Sequence, residues 1–388
     1  MRHVSTVLGQ LYSFIPRNRF REFAGQQKIH GNTKINCWQQ LVLMLFAQAA
    51  NVESLRHLQD VWLSRQNQWY HLGIESVAKS TLSDANKRTD SSVFERLFYE
   101  IVSQYREYIP KQKFSFDEDL YLLDGSIVSL IYSLFDWAKY RSKKGGIRLH
   151  TLYCATEQIP RWVNITNAKN PHEVSVAKQN WKSWELPEGC ILCFDRGYLD
   201  YAWWYDLEQS GVFWITKGKS NTHFWPVKSY ASDHPQVLLD EEGTFFRSED
   251  KYPTKVRRIQ WYDPKEDKIL VFFTNHHDLA PEQIAEAHKA RWQIELFFKW
   301  IKQHLKIKSF LGTTENAVKS QIWIALIYFI IVSYIKAKTK LKHSLFILTK
   351  VLAQALFEHV HIIELINLKP NKANKLIHDR ASPQLKLC

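Results

Sequence analysis

Hydrophobic positions recur at helical spacing through roughly the first 110 residues and then change period. Trp38, Leu41, Val42, Leu45, Phe46 and Ala49 share one helical face, and Ser54 ahead of Leu55-Arg56-His57-Leu58 starts another helix. Gly31-Asn32 marks a loop between early elements. From about residue 115 short apolar runs take over, predicting strands near 120–131, 147–155, 161–168, 190–195 and 212–216, with helices between the last three. Three consecutive strands followed by strands alternating with helices predict a mixed sheet and an α/β fold. Residues 219–270 break the alternation. Their aromatics, a turn at Gly243 and strand-like runs at 256–262 and 268–273 predict a β-rich insertion. The segment 320–335 carries no charge for 16 residues, short of the roughly 20 that span a bilayer. It predicts a buried helix packing behind the sheet, and no membrane partner. The tail from Lys369 on has five Lys/Arg against one acid, with Pro370 and Pro383, and reads as a flexible basic end.

Composition narrows the function classes. The chain has 388 residues, enough for more than one domain, and 45% hydrophobic content supports buried cores. A net charge of +13 points to a polyanionic partner such as DNA or RNA. Five scattered cysteines fit a reducing compartment. Cys190 and Cys193 have zinc-like spacing, but no second pair accompanies them and they sit within a strand-like run. No basic start followed by an apolar core marks a secretory signal, so a cytoplasmic location is expected.

Candidate chemistry sits in three places. In HKARWQIELFFKWIK, residues 288–302, helical spacing puts His288, Arg291, Glu295, Lys299 and Lys302 on one face, while Ile294, Phe298, Ile301 and Leu305 form an apolar stripe. A solvated, salt-bridged helix face would look the same. Asp124 lies inside the apolar run DLYLLDGSIVSLIY, where an unpartnered acid is expensive to bury. Asp195 ends the run CILCFD, where a strand's C-terminal end presents a ligand at a sheet edge. Each alone could be a capped strand end or an ion pair, Asp195 with Arg196 for instance. Together two strand acids and one helix acid suit divalent ions and phosphoryl transfer. Asp117, Glu118 and Asp119 precede the strand in a polar loop, and Asp240-Glu241-Glu242 reads as a solvated turn before Gly243. The segment 79–88 (KSTLSDANKR) could be a DNA-reading helix capped by Ser80 or Thr81, or a solvated helix.

In order, these motifs resemble the DDE transposases of bacterial insertion sequences, specifically the group (insertion-sequence family four) marked by a Tyr-x2-Arg-x3-Glu-x6-Lys signature. Here the signature reads His288-x2-Arg291-x3-Glu295-x6-Lys302, with His in place of Tyr. LLDGS and FDRGY are similar to the group's two aspartate motifs. KYRSKKGGIRLHTLY, FFTN, IELFFKWIKQHLKIKSFLGT and the N-terminal QLYSFIPRNRF and WQQLVLMLFAQAANVESLRHL are similar to further segments. The resemblance implies a ribonuclease H-like catalytic core with a β-rich insertion, a helical domain before it and helices after it. The implied organisation is a helical DNA-binding domain at 1–110, core at 111–218, insertion at 219–275, core with the Glu-bearing helix at 276–335, and a helical C-terminal region with the basic tail at 336–388. It implies that Asp124, Asp195 and Glu295 hold two Mg²⁺ ions, with Mn²⁺ substituting, and that His288, Arg291, Lys299 and Lys302 bind DNA. The expected activity is cleavage of double-stranded DNA at transposon ends and strand transfer into target DNA, by a homodimer in the synaptic complex. The alternative is a domesticated transposase that regulates through DNA binding after losing catalysis. A glycoside hydrolase with paired carboxylates fits poorly with the +13 charge.

Overall fold

Helices come first in the chain, several of them started by local capping. They are α1 (Val7–Ser13), α2 (Arg17–Gly25), α3 (Cys37–Ala49), α4 (Leu55–Ser64), α5 (Gln66–Trp69), α6 (Lys79–Arg88) and α7 (Ser92–Tyr105). Asn36 and Gln39 form a capping box on α3, and Ser54 Oγ accepts from His57 N at 3.1 Å to start α4. α6 begins at Lys79 with no cap from Ser80 or Thr81; Gln59 on α4 accepts from Lys79 N at 3.0 Å instead. The computed structural model describes residues 4–26, 34–69, 77–131, 133–141, 144–169, 172–218, 222–304, 310–340 and 343–367. The tail beyond Lys369, the Gly31-Asn32 loop and Leu305 lie outside them.

The second stretch of chain builds one sheet. Its elements are β1 (Leu120–Leu130), β2 (Lys139–Arg141), β3 (Lys144–Cys154), β4 (Ile159–Asn167), α8 (Glu173–Asn180), β5 (Ile191–Phe194), α9 (Tyr201–Gln209) and β6 (Phe213–Lys217). β1 pairs antiparallel with β3 and parallel with β5; β3 pairs antiparallel with β4, and β5 parallel with β6. The order β4-β3-β1-β5-β6, three antiparallel strands leading into parallel ones, is the ribonuclease H-like arrangement. The sequence places these strands within three residues of where they lie. β1 and β5 are central, so Leu120 to Leu123 and Ile191 to Phe194 are buried on both faces and read as unbroken apolar runs. Trp203 and Trp204 of α9 pack beneath them with Phe194, Tyr198, Trp214, Phe245 and Tyr252.

Four more strands follow: β7 (Phe224–Ser229), β8 (Val237–Phe245), β9 (Val256–Asp263) and β10 (Lys268–Thr274). They form an antiparallel meander, and β10 pairs with β6, so the region widens the core sheet. Two expectations are corrected here. Asp240-Glu241-Glu242 is no solvated turn; it lies within β8. Asp240 makes a buried bidentate pair with Arg257 at 2.7 and 2.8 Å, Glu241 pairs with Arg258, and Glu242 with Lys255 at 2.7 Å. Gly243 likewise sits in the strand, where a Cβ would lie 2.1 Å from Trp225 O, so close backbone approach demands glycine.

The chain then forms α10 (Pro281–Ala290), α11 (Trp292–His304), α12 (Glu315–Thr339), α13 (Leu345–Gln354) and α14 (Ile362–Asn367). Two compact units result: Met1–Tyr108 with Ser309–Gly312 and Asn316–Cys388, and Ile109–Lys308 with Thr313–Glu315. α12 is buried from Ser320 to Ser333. The sequence reading places it against the sheet; its described ring partners belong to the helical unit. Trp323 packs on Phe98 and Tyr99 of α7, and Tyr334 on Tyr105 and on Phe14 after α1.

Candidate active site

Asp124 and Asp195 are brought together by strand register. Leu123 pairs with Phe194 across the parallel β1–β5 ladder, and the next residues are Asp124, within β1, and Asp195, just past the end of β5. Neighbouring strands lie about 4.8 Å apart, so the two acids start side by side. Each carboxylate is oriented by its own backbone: Gly125 N donates to Asp124 Oδ1 at 2.8 Å, and Gly197 N to Asp195 Oδ1 at 2.7 Å. Burial pushes the Asp124 carboxyl up to about 6; the Gly125 N–H and Arg291 oppose this, while Asp195 and Glu173 reinforce it.

Glu295 reaches this pair through a cation. The predicted single helix over 288–302 is divided at Arg291, where Arg291 N bonds to His288 O and Ile294 N to Arg291 O, a tighter three-residue turn between α10 and α11. From that joint the Arg291 guanidinium contacts Asp124 Oδ2 at 3.5 Å and Glu295 Oε1 at 2.6 Å. Arg291 thus stands between the acids. Among the described residues no three His, Cys, Asp or Glu side chains are gathered for one ion. The donor chemistry nevertheless suits a hard divalent cation, because partly buried carboxylate oxygens with like-charged neighbours favour one. The apolar side of α11 is seated as its period implies, with Ile294, Phe298 and Ile301 buried.

The remaining predicted residues divide. Lys302 is half-buried beside Asp124; burial lowers its pKa and Asp124 pulls it back up. Lys299 is exposed. His288 packs on Phe272 with ring centroids 4.7 Å apart. Burial, then Arg291 and Lys217, lowers its pKa to about 3, so it is neutral at ordinary pH. A pocket of about 230 Å³ is lined by Asp195, Arg196, Lys217, His288 and Arg291. Its three cations beside one catalytic-type acid suit an anion.

Sequence reasoning missed Arg196 and Lys217 as pocket cations, although both follow apolar strands at the sheet's C-terminal edge. It also missed Glu173, which opens α8. Glu173 Oε1 lies 3.0 Å from where a Cβ on Gly125 would stand, Oε2 lies 3.5 Å from that of Gly197, and Arg148 Nη1 pairs with Oε1 at 3.1 Å.

Comparison with known proteins matches residues 115–330 to the transposase DDE domain and residues 3–75 to a domain of unknown function. A protein of Sinorhizobium fredii named as a transposase is 29% identical over 289 residues, covering 73% of this chain and 78% of the relative. A Geobacillus stearothermophilus protein named as a transposase for an insertion sequence element is 24% identical over 271 residues, covering 69% and 70%. A similarly named Synechocystis protein is 25% identical over 272 residues, covering 66% and 71%.

Proposed function

The chain belongs to the transposase DDE domain family, and from that premise we propose that Asp124, Asp195 and Glu295 are the carboxylates through which this transposase cuts and joins DNA. The family implies a divalent metal. Mg²⁺ is the reading favoured by an all-carboxylate donor set, with Mn²⁺ substituting. Bound ions of this kind supply stabilisation of charge on the attacking and leaving oxygens during phosphoryl transfer. The observation that carries the reading is the placing of Asp124 and Asp195 on adjacent parallel strands, beside a pocket lined by Arg196, Lys217 and Arg291.

The chain's own residues then have distinct tasks. Arg291 holds Asp124 and Glu295 in place, and its guanidinium is the group to turn to a phosphate once the acids have another cation. Arg196 and Lys217 bind phosphate in the pocket, Lys302 does so beside Asp124, and exposed Lys299 contacts the duplex backbone. His288, neutral, donates a hydrogen bond where the family signature has Tyr. In the helical unit, α6 exposes Lys79, Ser80, Lys87 and Arg88 while burying Leu82, Ala85 and Asn86, a suitable face for DNA. Bringing two element ends together calls for two copies, so a homodimer forms on DNA, within the cytoplasm where the element resides.

The test is Mg²⁺-dependent cleavage of duplex DNA bearing the element's ends. Asp124→Asn, Asp195→Asn and Glu295→Gln should each reduce cleavage to background while DNA binding is kept or tightened, because each change removes negative charge beside phosphate. A Glu295→Gln protein cutting at near wild-type rate would remove Glu295 from the site. Wild-type protein that binds the ends and never cuts them would favour a regulator.

A further inference from the structure

We propose that Glu173 is a fourth working carboxylate of the metal site, held by Arg148 and given its seat by Gly125, the residue after Asp124. This rests on the metal-site reading above and adds a residue to it. The two aspartate motifs, LLDGS and FDRGY, each carry a glycine, and Glu173 lies against both. A side chain on Gly125 would press on Glu173 Oε1, Cδ and Cγ at 3.0, 3.2 and 3.3 Å; one on Gly197 would press on Asp195 Oδ1 at 2.8 Å and only touch Glu173 Oε2 at 3.5 Å. Those glycines are also the donors that orient Asp124 and Asp195. One carboxylate therefore lies against both β1 and the turn after β5, each already committed to an aspartate.

Electrostatics make this a poor place for an acid with only a structural task. Burial raises the Glu173 pKa, and Asp195 adds to the rise against Arg148. Arg148 pairs with Glu173 and Arg291 with both Asp124 and Glu295, so two guanidiniums are shared among three carboxylates, and Asp195 has no direct ion pair among the described residues. Acids gathered in this way suit a divalent ion. Two donors nearby also wait for acceptors. Arg148 Nε and the Tyr198 hydroxyl are buried without hydrogen-bond partners, Tyr198 is 0% exposed, and its hydroxyl feels the charge of Glu173, Asp124 and Asp195. A shift of Glu173 toward an ion would bring its oxygens into a new set of partners, which these donors can supply. A plain tether between β3 and α8 would not need the room left at Gly125 or the orphaned donors.

The experiment is calorimetric titration of the full chain with Mn²⁺, without DNA, alongside the melting temperature without metal. Glu173→Gln should weaken Mn²⁺ binding by about ten- to a hundred-fold, as outer-shell carboxylate losses do, while the metal-free melting temperature stays near wild type. Glu173→Asp, which keeps the charge on a shorter arm, should fall between, and it serves if Glu173→Gln does not fold. Asp124→Asn is the control. If it loses Mn²⁺ while Glu173→Gln (or Glu173→Asp, where only that folds) binds like wild type, Glu173 is only an anchor for α8 and the proposal is overturned. If Asp124→Asn also binds like wild type, the metal-site reading itself falls and takes Glu173 with it.

Discussion

An acid inside an apolar strand is conspicuous in any sequence, and Asp124 carries the consequence of that position. Its carboxyl is pushed up to about 6 by burial, with Asp195 and Glu173 adding like charge. Because the folded pKa is raised, the ionised form costs stability above about pH 6 and costs nothing below the unfolded value of about 3.9. Metal-free Asp124→Asn should therefore unfold at higher urea than wild type at pH 7.5, by at most about 3 kcal/mol at roughly 1.4 kcal/mol per pKa unit. The gap should close below about pH 4; a variant less stable than wild type at pH 7.5 would contradict this account. His288 gives the opposite lesson. Its unperturbed chemistry suggests a pH-dependent cation, yet Phe272, Arg291 and Lys217 keep it neutral. Between about pH 6 and 8, where an unperturbed imidazole titrates, His288→Tyr and wild type should give superimposable cleavage profiles. A wild-type loss through that window, absent from His288→Tyr, would show that the charge matters. As candidates, Asp124 and Asp195 stand out because each interrupts an apolar run, and Glu295 because it is the one acid on a cationic helix face. Glu173 does not, since an acid in a helix's first turn is ordinary and its neighbours come from β1, β3 and β5.

Elements were legible where burial is two-sided. β1 and β5 show continuous apolar runs because each has strands on both edges and packing on both faces, which also fixed the α/β class. What stayed hidden depends on partners distant in sequence. The acids of β8 look like a solvated turn until β9 supplies Arg257 and Arg258 across the ladder. Nor does spacing alone reveal the joint at Arg291, because one three-residue turn leaves the helical period nearly intact. The β8–β9 pairing has a measurable weight. Arg257 also donates to His277 O at 3.1 Å and to Leu279 O, tying the sheet to the loop before α10. Arg257→Met should leave Asp240 buried and unpaired and cost about 3–5 kcal/mol in urea unfolding. A loss below about 1 kcal/mol, the scale of an exposed pair, would mean that water reaches Asp240.

At the scale of the whole chain, residues 171 positions apart form one constellation because β1 lies beside β5 and α11 returns over β1. The excess of cations is spread along the sequence and says only that the partner is acidic; the pocket of Arg196, Lys217 and Arg291 gives that charge a location. The width of the sheet then works as a ruler. Its order from β1 runs through β5, β6, β10, β9 and β8 to the edge strand β7, where Trp225 and Lys228 are exposed. Six steps of roughly 4.8 Å give a reach of at most about 29 Å. Duplex DNA rises about 3.4 Å per base pair, so that edge can touch a duplex no farther than about eight base pairs from a phosphate held at Asp124. A photo-crosslinker at position 225 should mark bases inside that limit, and marks well beyond it would mean the scissile phosphate lies elsewhere on the sheet. Adding or removing a hairpin of two strands between β6 and β7 would accordingly move the boundary of protected DNA by about three base pairs.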